Sequence, residues 1–115
     1  MGGEPHELVH IEWLQVEGCD AKAEVMELPK RPRGRAFAML ERLSTKTRSQ
    51  FRLKHTYVGN IMECKLAVPE GGLRLLFVYG KSHVWCIGAF IKKNEKDGNR
   101  KLQSYLKRSI LAESL

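Results

Sequence analysis

Residues 61–91 constrain the fold more than any other part of the chain. Three apolar runs, IMECKLAV, LRLLFVYG and HVWCIGAFI, follow one another with only Pro69–Glu70–Gly71–Gly72 and Gly80–Lys81–Ser82 to separate them. Each run has strand length, and turn-rich links this short join neighbours that run in opposite directions, so the three predict an antiparallel meander. In the last run both alternating sets, His83/Trp85/Ile87/Ala89/Ile91 and Val84/Cys86/Gly88/Phe90, are mainly apolar. A strand buried on both faces belongs inside its sheet.

The remaining segments supply an edge and a cover for that sheet. Residues 8–14 place Val9, Ile11 and Trp13 on one side and His10 and Glu12 on the other, the two-residue period of a half-buried strand. Asp20 is placed to cap a short helix reaching Leu28, which Pro29 stops. After the basic KRPRGR, Ala36, Phe37, Leu40 and Leu43 recur at helical intervals and predict a second helix. Residues 44–60 lack a period and predict a long surface connection. A final helix is expected from Asp97 or Asn99, with Leu102, Tyr105, Leu106, Ser109 and Ile110 inward and Arg100, Lys101, Lys107 and Arg108 on the opposite side. The expected class is α+β: an N-terminal strand, two helices, a three-stranded meander and a basic C-terminal helix. It forms one domain over residues 1–115, with residues 1–6 disordered.

Charge narrows the partners. Twenty Lys and Arg against thirteen Asp and Glu give a formal charge of +7 and a pI near 9.5, which suits RNA, DNA or an anionic membrane. No helix-turn-helix pattern points to DNA, and the last helix needs its apolar stripe to cover the sheet, which leaves none for lipid. No apolar run approaches the ~20 residues that cross a bilayer, and no secretory signal core is present. Cys19, Cys64 and Cys86 are odd in number and far apart, without the spacing of a zinc site. The expectation is a cytoplasmic protein with reduced thiols, no metal and no cofactor.

Arg74 stands out because every neighbour in LRLLFVY is apolar. A guanidinium on a sheet face is costly to desolvate, so it either reaches a structural carboxylate such as Glu63 or clamps a phosphate. Lys65 shares the face of Glu63 on the preceding strand, and Lys92 and Lys93 emerge where the last strand ends. Each lysine alone reads equally as a solvated side chain; together they would need an anion between them. His55 has an unperturbed pKa suited to proton transfer, and Lys54 and Tyr57 flank it in the same basic loop. Phe51 and Tyr57, interleaved with Arg48, Arg52 and Lys54, either stack on bases or anchor the loop. Trp13 and Trp85 read as core aromatics, and KRPRGR as a ribosomal RNA contact or a solvated linker.

In residues 61–108, IMECKLAVPEGGLRLLFVYG resembles the Glu-Leu-Arg strand, glycine turn and Arg-containing strand of the RelE superfamily of bacterial toxins, in its HigB-type, phage-derived branch. AFIKKNEKDGNRKLQSYLKR is similar to the closing Phe-x-Lys-Lys run and basic helix of the same family. The resemblance implies a type II toxin that cleaves messenger RNA on the ribosome by attack of a ribose 2′-OH, without metal, and is held by an antitoxin. It implies catalytic roles for Arg74, Lys93, Lys92, Lys65 and His55. RNA or ribosome contacts are expected from Lys54, Arg48, Arg52, Lys96, Arg100, Lys101, Lys107 and Arg108. The chain departs from the pattern with Lys65 for the arginine of the triplet, Gly98 for a proline, and Asn99 where some relatives carry a tyrosine. A rival expectation follows: a weakened module that binds RNA, ribosome or antitoxin without cleavage. A homodimer or a toxin–antitoxin hetero-oligomer is open.

Overall fold

In the computed structural model, which describes residues 7–115, the chain opens with an edge strand, β1 (Ile11–Trp13), shorter than residues 8–14 suggest. The disorder expected of residues 1–6 lies outside the described residues. A small hairpin that periodicity did not reveal follows, β2 (Gln15–Val16) with β3 (Cys19–Asp20). Asp20 then caps α1 (Ala21–Met26) as expected, its carboxylate accepting from the Ala23 N–H at 3.0 Å.

The second helix, α2 (Lys30–Leu43), starts directly after Pro29. KRPRGR is therefore its opening turns rather than a linker, and Pro32 is tolerated because first-turn N–H groups have no intrahelical acceptor. Ala36 and Leu43 are buried and Phe37 and Leu40 pack against the same core, which realises the expected face.

Strands β4 (Lys54–His55), β5 (Met62–Val68), β6 (Gly71–Tyr79) and β7 (Val84–Lys92) join β1 in a five-stranded sheet of order β1-β7-β6-β5-β4. The meander is antiparallel, while β1 pairs with β7 in parallel, Ile11 opposite Val84. β7 thus lies inside the sheet as both its apolar sets demand. The connection over residues 44–60 does more than cross the surface: β4 extends the far edge, and Phe51 and Val58 are buried at 2% and 3% exposure. Phe51 is a core anchor, which removes it as a base-stacking platform.

The sheet has a core on each face. Leu73, Leu75, Phe77 and Cys86 pack toward α2 and Phe51; Leu76, Val78, Ile87 and Phe90 pack toward the C-terminal helices. Strict alternation would separate Ile87 from Phe90. It fails because Leu76 pairs with Gly88 and Phe77 with Cys86, leaving Ile87 as an extra residue in β7. The bulge moves everything after it into the opposite phase. Gly88 at its apex takes φ 156°, and a Cβ there would lie 2.3 Å from the Tyr105 ring, so only glycine fits.

The expected single C-terminal helix is two. α3 (Glu95–Ser104) starts earlier than Asp97, with Asn94 accepting from the Asp97 N–H at 2.8 Å, and α4 (Leu106–Ser114) follows a break at Tyr105. The buried line is Leu102, Tyr105, Ser109 and Ala112, whereas Ile110, expected inward, is 59% exposed. Among the described residues no helix is long and apolar enough to cross a membrane.

Candidate anion-binding cleft

A cleft of about 350 Å³ opens on the face of the sheet covered by α3. Phe90 and Leu102 form its apolar floor; one wall runs from Lys54 to Tyr57, and the other is Glu95, Gly98 and Asn99 of α3. Across it, cross-strand pairing sets Lys65 beside Arg74 and Arg74 beside Phe90, and the next row sets Gly72 beside Lys92. Side chains opposite one another in neighbouring strands are within reach of a shared ligand.

Arg74 occupies the centre. Its side chain is only 13% exposed, and its guanidinium makes no hydrogen bond to any described residue. The nearest charge is Glu63, whose Oε2 lies 3.7 Å from Nε, an attraction at a distance too long for a hydrogen bond. The guanidinium folds over Gly72, where a Cβ would stand 2.8 Å from Nη1, so the glycine makes its room. Planar donors left without acceptors in a half-closed cleft are suited to an oxyanion.

Lys92 is brought alongside by the same logic. Its stem crosses Gly98, where a Cβ would lie 2.9 Å from Cγ, and its ammonium hydrogen-bonds the exposed Glu95 carboxylate. That hydrogen bond, then the Lys92 charge and more weakly Arg74 and Lys65, hold the Glu95 carboxyl below its ordinary range. Lys65 Nζ stands 3.6 Å from Glu63 Oε1, and Lys54 is the cross-strand partner of Glu63 from the other side. Four cations thus share the cleft with two carboxylates, Glu63 inside and Glu95 at the rim.

The bulge decides which lysine takes part. Lys92 shares the phase of Phe90 and enters the cleft; Lys93 lies one residue further, is exposed and does not line it. Lys93 is corrected from a site residue to an outer cation, because successive side chains of an extended chain point to opposite faces. His55 lies only at the margin: it pairs with Met62, whose side chain belongs to the opposite core, and also borders a second hollow with Phe51 and Arg52.

Several expected contacts serve the fold. Arg108 is paired with Glu24, donates to the Ile87 carbonyl at 3.2 Å and lies over the Tyr105 ring at 4.6 Å. Burial is the largest single influence and works against its charge, but the Glu24 hydrogen bond and the Glu24 charge together overcome it and raise the pKa. Tyr105 donates to the same carboxylate at 2.7 Å, and burial followed by that bond pushes its hydroxyl well up. Lys101 is held by Asp97 at 3.3 Å, and its amine donates to the Ile91 carbonyl at 3.4 Å. Arg100 bonds Asp97 at 2.7 Å, and Arg52 donates to the Ser49 carbonyl at 3.0 Å. Arg48 lies over Tyr79 at 5.4 Å, while Lys96 and Lys107 are exposed outside the cleft.

One cleft residue is not among the expected catalytic groups, and only one of the two stacking candidates is placed to act. Glu63, expected only as a partner for Arg74, is the one carboxylate inside the cleft; its place between Met62 and Cys64, two residues before Lys65, was the available signal. Tyr57, 66% exposed on the wall, has a free ring face for a base, whereas Phe51 does not. Among the described residues no group of His, Cys, Asp and Glu gathers to hold a metal ion. No protein family matches the chain, and no curated protein or solved structure does either.

Proposed function

We propose that this chain is an RNA-cleaving protein of the RelE type, in the HigB-like branch, acting on messenger RNA at the ribosome in the cytoplasm and restrained by an antitoxin. The observation that carries the reading is the convergence of Arg74, Lys65, Lys92 and Lys54 on one cleft, with the Arg74 guanidinium free of hydrogen bonds. The resemblance of residues 61–108 supports the same assignment.

In this mechanism a phosphodiester enters between Arg74 and Lys92 and displaces Glu95 from the lysine. Glu63 takes the proton of the ribose 2′-OH, O2′ bonds to phosphorus, and the P–O5′ bond breaks. Arg74 stabilises the extra negative charge as it develops, and Lys92 gives a proton to the departing O5′. The products are a 2′,3′-cyclic phosphate and a 5′-hydroxyl. Tyr57 offers its ring to a flanking base.

Binding without cleavage is the rival reading, favoured by Lys65, a point charge where a forked donor would grip phosphate on two oxygens. Primer extension on a defined message carried by translating ribosomes separates the two. New 5′ ends that vanish with Arg74→Ala support cleavage. Retained RNA binding with no new ends supports the rival.

A further inference from the structure

The opening turns of α2 carry Lys30, Arg31, Arg33 and Arg35, and the cleft uses none of them, since α2 covers the other face of the sheet. Arg33 donates to the Met26 carbonyl at 3.2 Å and Arg35 to the Ala67 carbonyl at 2.9 Å. Lys30 and Arg31 are exposed and pair with no described residue. Between α2 and the end of β5 lies a groove of about 560 Å³. Gly34, Ala38, Val68 and Pro69 make its floor, Lys30, Arg31 and Arg35 its rim, and no carboxylate lines it.

Gly34 is the residue the fold does not explain. It sits inside α2 with ordinary helical backbone, and a Cβ placed on it would meet nothing within 4 Å. A glycine inside a helix is destabilising relative to alanine, and here neither backbone conformation nor internal packing calls for it. Lys30, Gly34 and Ala38 recur one turn apart on the same side of the helix, and small residues in such a row let a second helix approach closely.

We propose that this groove docks an acidic amphipathic helix of a partner protein. Its small apolar face lies on Gly34, Ala38, Val68 and Pro69, and its carboxylates meet Lys30, Arg31 and Arg35. A nucleic-acid backbone would satisfy the rim but has no apolar face for the floor. Because groove and cleft lie on opposite faces of one sheet, the docked helix leaves Arg74 open, and the inference stands apart from the assignment of cleavage.

The probe is a capped helical peptide of about 18 residues, made of Glu, Ala and Leu with the apolar residues on one face. It is titrated against the full chain by fluorescence anisotropy beside an isomer with scrambled helical phase and a short single-stranded RNA. The amphipathic peptide should bind roughly tenfold or more tightly than its isomer, and Lys30→Glu/Arg31→Glu should weaken it by a similar factor. Gly34→Ala should raise the melting temperature, while Gly34→Leu should leave the fold intact and abolish peptide binding; Arg74→Ala should leave peptide affinity as it is in the parent. Equal binding of the two isomers, no binding of either, or full affinity in Gly34→Leu would overturn the proposal. Loss of RNA rather than peptide binding in Lys30→Glu/Arg31→Glu would make the groove a nucleic-acid surface and overturn it as well.

Discussion

Replacing Arg108 by alanine separates a base that holds the fold from bases that face solvent. Arg108 and Glu24 are each about a quarter exposed, so their pairing is worth less than the ~3–5 kcal/mol lost when a fully buried pair is broken, and roughly 1 kcal/mol is a fair share. The hydrogen bond to the Ile87 carbonyl adds about 1 kcal/mol and the Tyr105 ring contact about 0.5–1. The sum, about 2.5–3 kcal/mol, should lower the melting temperature by roughly 10–12 °C for a chain of this size. Arg100→Ala removes a base that is 76% exposed and should leave the melting temperature nearly unchanged. Thermal unfolding followed by circular dichroism reads both, and RNA titrations across salt should lose slope only for Arg100→Ala. An Arg108→Ala protein as stable as the parent but poor in RNA binding would refute the assignment of Arg108 to the fold.

Lys92→Met should lower cleavage by about a hundredfold or more while Lys93→Met changes it by only a few-fold, measured on the same message; equal losses would contradict the phase shift at the bulge. Glu63→Gln should reduce single-turnover cleavage by about 10²–10⁴ with RNA affinity retained. A lowered melting temperature with cleavage intact would make Glu63 a counter-ion only. Burial pushes the Cys86 thiol from 9.0 up to about 12, a difference worth about 4 kcal/mol. The folded state holds this proton more tightly, so the contribution is complete below pH 9 and disappears as pH rises to about 12. Urea unfolding at stepped alkaline pH should therefore fall more steeply for the parent than for Cys86→Ala, and parallel curves would show that the thiol does not titrate with folding.

The sheet was legible where local chemistry decides. Two tight links fixed the meander, two apolar sets placed β7 inside, and Asp20 capped α1 through its own side chain. Arg74 was recognisable because a guanidinium among Leu, Phe and Val demands a partner. What stayed hidden depends on tertiary context. One inserted residue at Ile87 reverses the phase of β7, and a mid-strand glycine at position 88 was the only mark of it. The basic run before Ala36 looked like a connection because charge and proline obscured a helix start. Helical periodicity over residues 100–110 puts Arg108 toward solvent and Ile110 inward because it cannot show that Glu24 of α1 waits beside the helix. In the fold Arg108 is drawn to Glu24 beside the buried line, and Ile110 is left exposed.

The cleft draws one wall from β4, its centre from β5, β6 and β7, and its other wall from α3, while β1 must find β7 across most of the chain. Such distant pairing makes folding slow relative to a purely local topology. During synthesis the meander can assemble as soon as β7 emerges, but Gly98 and Leu102 follow it, and without them Lys92 has nothing to lie against. A nascent chain therefore carries an unfinished site until α3 has left the exit tunnel.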